Sequence, residues 1–235
     1  MNRAGLELLQ EKLAQKVLIP ARREGFHPEE KHILFTLDIQ YTEKYSYIAL
    51  DISYFSGEEI ALFLGKSEIS AEYVPQFFCF REGPPLIGMI EAVRAKGYTP
   101  DLILIDGHGL AHPRKFGVAC YVGIEVDVPT IGCAKRHLIQ PSYTPDLPRG
   151  SVSPIENERK VLGYALRTQD GVNPVFVSPG HKISLENAAA AVLSLASVYR
   201  LPEPIRRADQ AARLYAKGEP VINGIDLGTI LPHKI

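Results

Sequence analysis

The sequence has little cysteine. Cys79, Cys120 and Cys133 are odd in number and none sits in a C-x-x-C spacing, which argues against a disulfide framework and against a zinc site. Small buried hydrophobes are the expectation for all three. Long apolar runs are missing too, so no segment is long enough to cross a bilayer. The N-terminal MNRAGLELLQEKLAQKVL is amphipathic and lacks a signal-peptide h-region, so a cytosolic protein with no membrane partner is expected. Neither sign of charge is in excess: 26 Lys and Arg stand against 27 Asp and Glu, and a net charge of −1 gives by itself no hint of a nucleic-acid partner. Internal repeats and long linkers are absent, and 46% hydrophobic with 23% charged residues excludes wholesale disorder.

What is present is organised. The length of 235 residues supports a proper core, and we expect a single domain over residues 1–218, a tail over 219–235, and a monomer. Leu6, Leu9, Leu13 and Val17 form a stripe at helical spacing. Three strand-like runs follow, HILFTLDIQY, YSYIALDISYF and EEIALFLGKSEI, separated by short polar breaks that predict an antiparallel meander. The pattern then changes: REGPPLIGMIEAVRAKG predicts a helix opened by a proline-bearing turn, PDLILIDGHG a continuously apolar strand, FGVACYVGIEVD a helix and PTIGCAK another buried strand. GYALRTQDGVNPVFVSPGH predicts a hairpin turning at Gln169 to Val172, SLENAAAAVLSLAS a helix capped by serine, and PEPIRRADQAARLYAKG a last helix closed by Gly218. The expected fold class is α/β: a mixed sheet with three antiparallel strands first and parallel strands after, helices on both faces, in the order of the ribonuclease H-like arrangement.

Two carboxylates stand out. Period two puts Asp38 with Thr36 and Gln40 on one face of the first strand, opposite Phe35, Leu37 and Ile39. A mid-strand carboxylate is costly unless solvated, paired or bound to metal, and a water-facing sheet is the plain alternative. Asp106 ends LILID, where open α/β sheets bind ligands, although an Asp-Gly turn explains the same residues. Glu82 near a helix start and Asp209 in the last helix are further acids in reach, each with a structural alternative in the helix dipole or a neighbouring Arg. Cations gather locally at Arg114 and Lys115, at Lys135 to His137, and at Arg206, Arg207 and Arg213. Such patches bind phosphate even on a neutral protein, and equally form solvated faces.

The segments YVPQFFCFREGPPL, PDLILIDGHGLAHPRKFGVACYVG, VPTIGCAKRHL, NPVFVSPGH and RLPEPIRRAD resemble, in order and spacing, the endonuclease V family, from about Tyr73 to Asp209. The resemblance implies a Mg²⁺- or Mn²⁺-dependent endonuclease that recognises inosine in DNA or RNA and cuts one nucleotide beyond it on the 3′ side. It further implies metal-binding roles for Asp38 and Asp106, with Glu82 in the active-site cluster and Asp209 at its edge, where relatives carry Asp or His. Lys135 matches the lysine facing the scissile phosphate and Tyr73 the tyrosine of a strand-separating wedge. Arg114 and Lys115 are candidates to hold the nucleic-acid backbone, and His112 and His181, like His108, are candidate supporting residues.

Departures from the family concern the substrate. The wedge, usually Pro-Tyr-Ile-Pro-Gly, is Glu72-Tyr73-Val74-Pro75-Gln76 here, with Gln76 in place of a glycine that lies against the flipped base and Glu72 adding negative charge near phosphates. Two other readings therefore stand beside the first: a nuclease with the same metal chemistry and no inosine preference, and a nucleic-acid-binding relative without turnover.

Overall fold

The computed structural model describes residues 3–69 and 74–234, so Glu72 and the wedge residue Tyr73 lie outside the described residues. In chain order the elements are α1 (Arg3–Ala14), β1 (Ile33–Tyr41), β2 (Tyr45–Tyr54), β3 (Glu59–Glu68), α2 (Phe78–Arg94), β4 (Leu102–Ile105), α3 (Val118–Val126), β5 (Thr130–Ala134), β6 (Val152–Asn157), β7 (Lys160–Leu166), β8 (Val175–His181), α4 (Leu185–Leu195), α5 (Glu203–Lys217) and β9 (Gly224–Thr229). Among the described residues the nine strands belong to one sheet, ordered β6-β7-β8-β5-β4-β1-β2-β3-β9. The β1-β2-β3 meander is antiparallel as read, and β4 and β5 continue it in parallel, with Leu37 opposite Ile105 and Ile105 opposite Gly132.

Alternation along the strands sorts the core into two layers. Phe35 and Leu37 of β1 and Ile103 and Ile105 of β4 pack against α2 and α3, with Leu13 of α1 joining the same cluster. On the opposite face Leu34, Leu102, Leu104, Ile131 and Cys133 pack under α4, and Ala49 and Leu64 meet Ala208, Ala211 and Ala212 of α5. Each fully buried Leu or Ile contributes about 1.5–3 kcal/mol by leaving water, and the alanines of α5 let that helix approach the sheet closely. The three cysteines are free and buried, as expected of small hydrophobes. Ser184 caps α4 by accepting from the Asn187 backbone N–H at 3.3 Å, and α5 ends at Gly218 as predicted.

The structure corrects four expectations. Parallel pairing does not continue outward from β5: β8 runs antiparallel to it, the predicted hairpin joins β8 to β7, and β6 extends that side into a second meander. The sequence hides strand β6, because Pro154 and the charged residues from Glu156 onward blur the alternation, which an edge strand tolerates. Pro84 and Pro85 do not open α2 but lie inside it, although neither carries the backbone N–H that a helix interior normally uses. Finally, residues 219–235 are no mere tail. Strand β9 pairs in parallel with β3, Phe63 opposite Ile225, Ile230 is buried, and the His233 N–H donates to the Pro84 carbonyl on α2 at 2.9 Å.

Candidate active site

The same alternation that buries the core delivers the chemistry. On the α4/α5 face β1 reads Leu34, Thr36, Asp38; β4 and its end read Leu102, Leu104, Asp106; β5 and its end read Ile131, Cys133, Lys135. Three polar side chains therefore emerge together at the carboxyl ends of neighbouring strands, beneath α5. That helix adds Asp209, and carboxylate oxygens of Asp38, Asp106 and Asp209 all lie within 4.8 Å of one another. The Lys135 ammonium bridges two of them, with Nζ 2.6 Å from Asp106 Oδ2 and 2.7 Å from Asp209 Oδ1. Arg213, one turn along α5, holds Asp209 from the other side at 2.9 Å. Asp38, buried, accepts from the Gln40 side-chain amide at 3.0 Å.

One ammonium does not balance this charge. Burial first, then repulsion from Asp106, pushes the Asp38 carboxyl up to about 6. Burial, then Asp38 and Asp106, pushes Glu82 up to about 8. Asp106 is raised by burial in spite of Lys135, whereas at Asp209 burial is outweighed by Lys135 and Arg213, which hold it low. An all-oxygen, buried and under-neutralised set of carboxylates is the donor chemistry that hard divalent cations take, so Asp38, Asp106 and Asp209 fit such an ion. Glu82 approaches from α2 on the other side of the strand ends and stands outside the three-oxygen cluster.

The raised Glu82 has a consequence for stability. An acid with a raised folded pKa adds stability below its unfolded value, 4.5 for Glu82, and loses it as pH rises through about 8. His108 and His112, which burial first lowers from 6.5 to about 4, act with the opposite sign, but only below 6.5. Glu82 therefore governs the range above. Without divalent cations the protein is expected to lose stability from about pH 6.5 to 8.5, by at most ~1.4 kcal/mol per pH unit. Denaturant melts across that range should show the slope in the wild type and a flat line for Glu82→Gln; an undiminished slope in the variant contradicts the assignment.

Asp106 is followed by the loop that packs most tightly. A Cβ on Gly109 would meet the Pro179 carbonyl oxygen at 2.2 Å, and one on Gly132 would meet the Gly107 carbonyl oxygen at 2.6 Å. The Gly109 N–H donates to Ser178 Oγ at 2.9 Å and the Leu110 N–H to the Pro179 carbonyl at 2.9 Å. Asp106 is thus both a turn former and a member of the triad, because the glycines press its loop against β5 and β8. The loop also walls a cavity of about 290 Å³, lined by Gln76, Cys79, Glu82, Gly107, His108 and His112 among others. A larger cavity of about 580 Å³ lies between α5 and the β3–β9 edge, but its buried carboxylate, Asp51, is already consumed by the Arg207 fork at 2.8 Å.

The remaining candidates separate. His112 is buried with Nδ1 accepting the Arg114 N–H at 3.2 Å, so Nε2 carries the proton of its neutral ring. His181 pairs with Thr130 at the opposite end of β5 from Lys135, takes the Leu18 N–H on Nδ1 at 3.3 Å, and is not brought to the cluster. Arg114 turns inward onto Gln10, Gln76 and the Phe77 ring, and Lys115 pairs with Glu158. The sequence does not single out Gln10, and it marks Arg213 only as one of a local group of cations. The signal for Gln10 was a polar residue on the Leu6–Leu13 stripe, and for Arg213 the i,i+4 spacing from Asp209.

Carboxylates and a lysine converging at the carboxyl ends of neighbouring strands in an open α/β sheet form the kind of site used for cation-assisted phosphodiester cleavage. Known proteins narrow that class. The family description Endonuclease V matches residues 11–210. An endonuclease V of Dictyoglomus turgidum is 38% identical over 209 residues, 89% of this chain and 87% of its own. The crystal structure of an endonuclease V from Streptomyces avermitilis superposes with a TM-score of 0.82 at 34% identity, covering 92% of this chain and 94% of its own. Endonuclease V of Ciona intestinalis, solved with a 24mer DNA containing an inosine followed by a ribo-adenosine, gives 0.79 at 26% identity, covering 92% and 98%. The chain belongs to the endonuclease V family and is an endonuclease.

Proposed function

We propose that the protein cleaves DNA or RNA one nucleotide 3′ of inosine, with Mg²⁺, or Mn²⁺ in its place, held by Asp38, Asp106 and Asp209. The observation that carries the reading is the convergence of three carboxylates within 4.8 Å beside a cavity walled by the loop that follows Asp106. At about 290 Å³ that cavity suits a single planar base rather than a longer ligand, and its apolar walls with a few polar groups suit a base turned out of the stack. When bound, the cation activates water and neutralises charge on the cleaved phosphate. Lys135, displaced from Asp106 and Asp209, would then direct Nζ at a phosphate oxygen, a fixed positive charge where negative charge develops. Glu82 is the carboxyl able to hold or release a proton near neutral pH, and His112, neutral and hydrogen-bonded, supports the cavity wall.

The test is cleavage of labelled strands carrying inosine in DNA, in RNA and in hybrids, with Mg²⁺ or Mn²⁺. Product one nucleotide 3′ of inosine, lost in Asp106→Ala by at least ~10²-fold, is expected. No product from the wild type, or equal product from the variant, overturns the reading. Gln76 at the cavity supports a second reading without inosine preference, which would show as cleavage unaffected when inosine is replaced by guanine.

A further inference from the structure

We propose that Arg114 is a positioning residue for base selection: together with Gln10 it locks Gln76, and with it the 74–77 segment, as one wall of the cavity beside the carboxylates. This rests on the cavity being the base pocket. The sequence makes Arg114 look like a phosphate contact, yet every arm of its guanidinium is already engaged. Nε donates to Gln10 Oε1, Nη1 to Gln76 Oε1 at 3.2 Å and Nη2 to the Gln76 carbonyl at 2.9 Å, while Cζ lies 4.2 Å from the centre of the Phe77 ring. A fork with fixed geometry suits this two-point hold, which a lysine cannot reproduce.

Gln10 is the anchor. It is fully buried (0% exposed) on the sheet-facing stripe of α1, and its Nε2 donates to the Phe116 carbonyl at 2.7 Å, which fixes the amide so that Oε1 faces Arg114. The same Nε2 reaches the Gln76 carbonyl at 3.4 Å. Gln76 needs the hold, because it sits at φ 70, the left-handed region that a residue with a side chain disfavours. Phe116 ends the loop that begins at Asp106, so the three-residue clamp joins both lips of the cavity, 74–79 and 107–117, to helix α1. The wall is set by internal hydrogen bonds rather than by substrate.

The test compares Arg114→Met and Arg114→Lys with the wild type on inosine and guanine versions of one strand, reading kcat and KM separately, and follows amide hydrogen exchange at residues 74–79 without substrate. Loss of the charge-assisted bonds should raise KM for the inosine strand about tenfold and lower the inosine-to-guanine ratio of kcat/KM similarly, with kcat little changed. Exchange at 74–79 should quicken in both variants, and lysine should not rescue. A phosphate contact would instead raise KM equally for both strands and be restored by lysine, which overturns the proposal. Unchanged exchange at 74–79 overturns the clamp whatever the substrate, whereas a wild type that ignores inosine while exchange quickens refutes only the functional reading.

Discussion

Asp38→Asn, measured without divalent cations near pH 7, should resist denaturant better than the wild type and cleave nothing. The wild-type carboxyl, held at about 6 instead of 3.8, makes its ionised form cost roughly 2–3 kcal/mol in the folded protein. Asparagine has the same shape, can still accept from Gln40, and carries no charge for Asp106 to repel. The gain should reach ~1–3 kcal/mol at neutral pH and vanish below about pH 4, where aspartate is protonated in both states. Removing one of three negative charges from the cation site should lower cleavage by at least ~10²-fold. Stability falling while activity persists would mean that Asp38 is an ordinary buried polar group. Opposite movements of stability and activity are the mark of charge stored for a ligand.

Lys135→Met should move three quantities at once. Without cations, and among the described residues, it leaves Asp106 with no ion-pair partner and Asp209 with Arg213 alone; breaking a buried pair on one side is destabilising, here by about 1–3 kcal/mol because the lysine is partly exposed. Single-turnover cleavage should fall ~10²–10³-fold, the usual effect of deleting one positive group aimed at developing charge. Cation affinity should rise, because the ammonium and the ion compete for the same carboxylate oxygens. Calorimetric Mn²⁺ titration decides: weaker binding in the variant would make Lys135 part of the cation site rather than its rival.

Much of the site was legible because period two is a strong constraint. Once β1 buries Phe35 and Leu37 on one side, Asp38 must point to the other, and the same parity sends Asp106 and Lys135 to that face. The water-facing alternative for Asp38 failed since α5 covers it, a packing event between residues far apart in sequence. For the same reason Asp209 was visible as an acid but not as an equal member of the triad: its place depends on how α5 docks through Ala208, Ala211 and Ala212. Arg114 stays ambiguous in the sequence, because a basic residue after His-Pro reads the same whether it faces phosphate or Gln10. Strands β6 and β9 were hidden by Pro154 and by a short segment whose partner, β3, lies more than 150 residues away in the chain.

The central claim, that Asp38, Asp106 and Asp209 together hold a divalent cation, is tested most directly by diffraction from Mn²⁺-soaked crystals at the manganese absorption edge. The account predicts an anomalous peak bounded by oxygens of those three carboxylates, with Lys135 Nζ moved off Asp106. A peak elsewhere, or Lys135 still seated between Asp106 and Asp209 under saturating Mn²⁺ with no peak, would contradict it.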